Sequence, residues 1–79
     1  MITKEEQLIL VIHEMALAEG DVFTPVDPAL AAKKMRLTAH TARTMQHLLT
    51  RGNFIKSNRE GFVFLTERGI DLVALLQKK

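Results

Sequence analysis

Cysteine is absent from the 79-residue chain, which excludes a disulfide framework, a thiol nucleophile and a cysteine-ligated zinc site. The absence fits a reducing compartment. Long apolar runs are missing too. The longest, such as Leu8 to Ile12, has five residues, far short of the ~20 that span a bilayer. The first residues, Met1-Ile2-Thr3-Lys4-Glu5-Glu6, have no apolar stretch after a basic start, so no secretory signal is expected and the cytoplasm is the expected location. Neither a low-complexity tract nor an internal repeat is visible. The most telling absence is of acid. Between Pro28 and Arg59 there is no Asp or Glu. Seven basic side chains lie there, Lys33, Lys34, Arg36, Arg43, Arg51, Lys56 and Arg59, with His40 and His47 among them.

What is present is sorted by sign. Residues 1–27, 28–59 and 60–79 carry formal charges of −5, +7 and 0, so a net charge of +2 conceals a strong asymmetry. A block this one-sided attracts polyanions, although an ordinary solvated basic face has the same composition. The length suits a single domain, residues 1–79, with a small core, and an apolar fraction of 47% is that of a globular protein. No separate effector domain is expected within these 79 residues. Regulation is then expected through oligomerisation, abundance or a partner.

Local signals divide the chain into helices and one hairpin. Thr3 and Glu6 form a capping box for a first helix whose apolar residues recur at helical spacing up to Gly20. Val22-Phe23 reads as a minimal strand, and Thr24-Pro25-Val26 then runs extended, because the residue before a proline avoids the helical region. Asp27-Pro28 starts a short second helix to about Met35, with Leu30, Ala31, Ala32 and Met35 inward. Arg36-Leu37 turns, and Thr38 caps a third helix over residues 39–51 with Ala42, Met45, Leu48 and Leu49 as its buried stripe. Gly52-Asn53 ends it. Phe54–Ser57 and Phe62–Leu65 read as a hairpin about Asn58-Arg59-Glu60-Gly61. Thr66 caps a last helix over about 67–77, apolar on most sides. The expected class is mainly α with a small β-hairpin (α+β).

Two short helices joined by a tight turn and followed by a hairpin is the order of a winged helix-turn-helix. Four runs carry that resemblance. Ala31 to Thr38 is similar to the family's first helix and turn, and Thr38-Ala39-His40-Thr41-Ala42-Arg43 resembles the opening of its recognition helix. Leu49-Thr50-Arg51-Gly52-Asn53-Phe54-Ile55 resembles the run into the wing, and Leu65-Thr66-Glu67-Arg68-Gly69 resembles the segment after the wing in MarR-like regulators. The resemblance covers nearly the whole chain and has MarR-like and GntR-like flavours. Three positions depart from the pattern: Arg36 and Asn53 where glycine is usual, and Gln46 where GntR-like helices are apolar.

The resemblance implies a small DNA-binding regulator with the helix-turn-helix at about 28–51 and the wing at about 54–65. Its partner would be double-stranded DNA. Base contacts fall to His40, Thr41, Arg43, Thr44 and His47, since the first turns of such a helix reach base edges in the major groove. Phosphate contacts fall to Lys33, Lys34, Arg36, Thr38, Lys56 and Arg59. Leu72, Leu75 and Leu76 of the last helix offer a surface for a homodimer. The alternative is a winged-helix module that binds protein and not DNA.

Other chemistries find little support. His40 and His47 stand two helical turns apart with no further ligand near in sequence, so no metal site is expected. Arg51 serves equally well to cap the end of its own helix. No phosphate loop, carboxylate pair or Ser/His/Asp set stands out, and no enzyme activity, cofactor, small-molecule ligand or membrane association is expected.

Overall fold

The computed structural model describes residues 3–78. Met1, Ile2 and Lys79, at the ends of the expected domain, lie outside the described residues. Among the described residues the fold is mainly helical, with four helices and one two-stranded antiparallel sheet: α1 Lys4–Glu19, α2 Pro28–Lys34, α3 Ala39–Arg51, β1 Ile55–Ser57, β2 Val63–Leu65 and α4 Glu67–Gln77.

All four helices start where a side-chain oxygen can replace a missing intrahelical acceptor. Thr3 and Glu6 form the capping box of α1, with Glu6 N–H donating to Thr3 Oγ1 at 3.1 Å and Thr3 N–H to Glu6 Oε1 at 2.8 Å. Asp27 Oδ1 accepts from Ala29 N–H at 2.9 Å at the start of α2, where Pro28 has no N–H to satisfy. Thr38 and Thr66 cap α3 and α4 through Thr41 N–H and Gly69 N–H.

The helix ends are equally local. After α2, Leu37 N–H donates to Ala32 O and Arg36 N–H to Lys33 O, with Arg36 at φ 58. After α3, Phe54 N–H donates to Leu49 O and Asn53 N–H to Thr50 O, with Asn53 at φ 64. Both are Schellman endings, which need one left-handed residue. Asn tolerates that conformation; for Arg36 it costs about 1–2 kcal/mol.

One cluster of buried side chains joins these elements. Leu8, Ile9, Ile12 and Ala16 of α1 meet Ala31 of α2, Met45 and Leu49 of α3, Ile55 of β1, Val63 and Leu65 of β2 and Val73 of α4. Ile9, Ile12, Ile55, Val63 and Leu65 are the largest fully buried side chains, each worth roughly 1.5–3 kcal/mol of transfer free energy. In the hairpin Ile55 pairs with Leu65, Lys56 with Phe64 and Ser57 with Val63. Ile55 and Leu65 therefore point inward, and Lys56 points out. Asn58 Oδ1 accepts from Glu60 and Phe62 N–H and so carries the turn.

Val26 is extended before α2 as expected, and it, not the Val22-Phe23 pair, meets the hairpin. Val22-Phe23 lies in a turn, where Phe23 N–H donates to Asp21 Oδ1. Val26 exchanges two hydrogen bonds with Val63, 2.8 and 2.9 Å long, as an isolated bridge. The sheet thus has two strands, not three. This bridge ties the start of α2 to the hairpin. Two expected core residues are also outside: Leu30 is 52% and Leu48 51% exposed. Seven residues of α2 bury only the small Ala31 and Ala32, and α3 centres its buried stripe on Met45 and Leu49.

A second tie holds the hairpin to α4. Thr66 Oγ1 donates to Asn53 O while accepting from Gly69 N–H, and Thr66 N–H donates to Phe54 O. The Phe54 carbonyl lies so close to Gly69 Cα that a Cβ there would overlap it. Arg68 stacks its guanidinium 5.0 Å from the Phe54 ring centre, a cation–π contact. The Leu65-Thr66-Glu67-Arg68-Gly69 run therefore acts as a structural clamp. No helix among the described residues is long and apolar enough to cross a membrane.

Candidate nucleic-acid interface

All seven cations of the acid-free segment are exposed. Their positions on the backbone divide them into two kinds. Lys33 and Lys34 occupy the last turn of α2 and Arg51 the last turn of α3, where a cation offsets the negative end of the helix dipole. Those three have a structural explanation. Arg36, Arg43, Lys56 and Arg59 have none of that kind. Arg36 sits in the left-handed turn, Arg43 in the middle of α3, Lys56 on the outer side of β1 and Arg59 at the hairpin tip. Glu60 shares the tip with Arg59 and offsets part of its charge there.

The outer face of α3 carries the side chains able to read a ligand. His40, Arg43, Thr44 and His47 are exposed, and Thr41 is half-buried. Arg43 and His47 line one polar groove with Gln46, Thr50 and Ser57, open and about 370 Å³ in volume. Arg43 also reaches the rim of a mostly apolar groove of about 460 Å³ between α2 and α3, together with Lys33 and Gln46. Lys34 is not among that groove's lining; it borders a different one with Glu14 and Glu19. Adjacent in sequence, Lys33 and Lys34 serve two different grooves.

Hydroxyl bonding limits what the threonines offer. Thr38 Oγ1 donates to Thr41 Oγ1 at 2.9 Å and accepts from Thr41 N–H at 3.1 Å. Its one hydrogen is committed. Thr44 Oγ1 donates to His40 O at 3.1 Å, and Thr50 Oγ1 to Gln46 O at 2.8 Å. Thr41 Oγ1 accepts the Thr38 hydrogen, which leaves its own O–H to donate outward. Among these, Thr41 is the hydroxyl best prepared for a phosphate or base acceptor.

Gln46, Thr50 and Ser57 were not among the expected site residues. Thr50 stands four residues after Gln46 and seven after Arg43, a spacing that shares one helix face. Ser57 reaches the groove only because β1 packs beside α3. The expected dimer surface is more modest than the helix sequence suggests. Leu72 packs against the core, Leu76 is half-buried, and Leu75 is 62% exposed. His40 and His47 gain no metal partners: among the described residues no group of three or more His, Cys, Asp or Glu is placed to hold an ion. No family model matches the chain, and no curated protein and no solved structure matches it either.

Proposed function

We propose that the chain is a winged helix-turn-helix protein that binds double-stranded DNA as a small transcriptional regulator. In this reading α2, the Arg36-Leu37 turn and α3 are the helix-turn-helix, and the hairpin is the wing. The Val26–Val63 bridge supports it, because it couples the start of the helix pair to the wing. The observation that carries the reading is the exposure of every cation in an acid-free segment that contains both elements. A protein-docking surface does not need to exclude acid over such a length, whereas a polyanion does.

Within the reading, α3 enters the major groove. Arg43 pairs with a guanine edge, with His40, Thr41, Thr44 and His47 beside it. Lys33, Arg36, Lys56 and Arg59 neutralise phosphates, with Lys34 at the margin and Thr38 holding Thr41 in place. Leu75 is the centre of a two-fold contact that sets two α3 helices about one DNA turn apart.

The test is a titration of labelled duplex DNA at several salt concentrations. About five phosphate contacts predict a log–log slope near −4.5. Absence of binding at low salt would falsify the DNA reading and leave a protein-binding module in its place.

A further inference from the structure

A second groove lies between α1 and α2, open and about 470 Å³ in volume. It shares only Leu30 with the groove beside Arg43. Its walls include Met15, Leu30 and the hairpin residue Phe62. Leu30 is 52% and Phe62 36% exposed, so the chain leaves two large apolar side chains uncovered beside a half-buried methionine. A recess of this kind can receive apolar side chains of a partner. Its rim has the opposite sign from the α3 face: Glu14, Glu19 and Asp27 against the single cation Lys34. Asp27 has one carboxylate oxygen engaged in capping α2. Glu14 and Glu19 are exposed on α1. Polyanions are repelled there, and a nucleic acid has no use for leucine, methionine and phenylalanine walls.

We propose that this groove docks a cationic amphipathic helix of a partner protein. The partner's leucine-like face fills the recess between Met15, Leu30 and Phe62, and its Lys or Arg flanks meet Glu14 and Glu19. This is the helix-in-groove mode with acidic margins selecting the sign of the ligand. The proposal does not rest on the DNA reading, since it uses the other side of α2. If both hold, one chain carries DNA and a basic protein on separate surfaces.

Two labelled helical peptides of equal length test it, one with Leu on one face and Lys on the other, the second with Glu in place of Lys. Anisotropy is read against the full chain. The Leu/Lys peptide is expected to bind at least about tenfold tighter than the Leu/Glu peptide, and Glu14→Lys with Glu19→Lys should reverse that preference. Phe62→Ser should weaken both, with the circular dichroism spectrum unchanged. The same charge change on α4, Glu67→Lys with Asp71→Lys, should leave the preference intact. Failure to bind the Leu/Lys peptide overturns the proposal. So does equal binding of both peptides, or a reversal by the α4 pair as large as that by the groove pair. A concentration-dependent dimer in sedimentation that Phe62→Ser dissolves would give the groove to a second copy of the chain, which also overturns it.

Discussion

In residues 3–27, Glu6, Asp21 and Asp27 each offer a carboxylate oxygen to a backbone N–H. In residues 28–59 the same work is done by Thr38 and Asn58, which carry no charge. Both regions need acceptors at helix starts and turns, and both find them. The difference shows that folding does not require the second region to lack acid. The first turn of α3 contains no Asp or Glu, which forgoes about 0.3–1 kcal/mol of favourable dipole interaction. Arg36 goes further in the same direction, holding a left-handed position where glycine is less strained. On the proposed reading, the charge kept at these two points serves the polyanion partner.

The contrast depends on one shared frame, and the largest effect expected comes from breaking that frame. Gly69→Ala places a methyl group against the Phe54 carbonyl, where neither backbone can yield. A loss of about 3 kcal/mol is expected in urea unfolding. An unchanged midpoint would show that the hairpin is not clamped by α4.

Arg43→Ala separates the regions directly. Arg43 is exposed, so unfolding should shift by less than about 0.5 kcal/mol. DNA affinity should fall by about 1–3 kcal/mol, with sequence preference lost at one base pair. Glu14→Ala, in the acidic region, should leave DNA affinity alone. Equal effects from the two substitutions would dissolve the distinction.

Arg36→Gly tests whether stability has been exchanged for charge. Relief of the left-handed strain should raise stability by about 0.5–1 kcal/mol, while the salt slope of DNA binding shrinks by about 1. A gain in stability with an unchanged slope would assign Arg36 no contact with phosphate. The smallest effect concerns Thr38→Asp, which introduces the acid that the region avoids. Asp caps at least as well as Thr and suits the helix dipole, so stability should rise by about 0.5 kcal/mol. Gel-shift titration should show weaker DNA binding; stronger binding would contradict a phosphate near the start of α3.

Much of the frame was readable in advance. The four caps, Thr3, Asp27, Thr38 and Thr66, all act as their sequence positions suggest. The bounds of α3 agree to the residue, and Gly52-Asn53 ends it. These features depend on atoms within four or five residues, where bonding options are few. The candidate site was readable only in outline. Arg43 and His47 share a groove as their helical spacing implies. The division of Lys33 from Lys34 was not legible, because it depends on which helix packs against each side of α2. Leu30 and Leu48 look like core residues by type, yet more apolar side chains compete for the centre than so small a core admits.

By itself the sequence determined where helices begin and end, where the chain turns and which stretch is free of acid, since capping, proline geometry and charge order are properties of near neighbours. Tertiary structure alone decided three things. Val26 rather than Val22-Phe23 meets the hairpin. Gly69 must be small because Phe54, fifteen positions earlier, lies against it. Lys33 and Arg43 border one groove, while Glu14 and Glu19 border another together with Lys34. Each is a contact between residues far apart in the chain, made only when the shared core closes and fixes which faces are left outside.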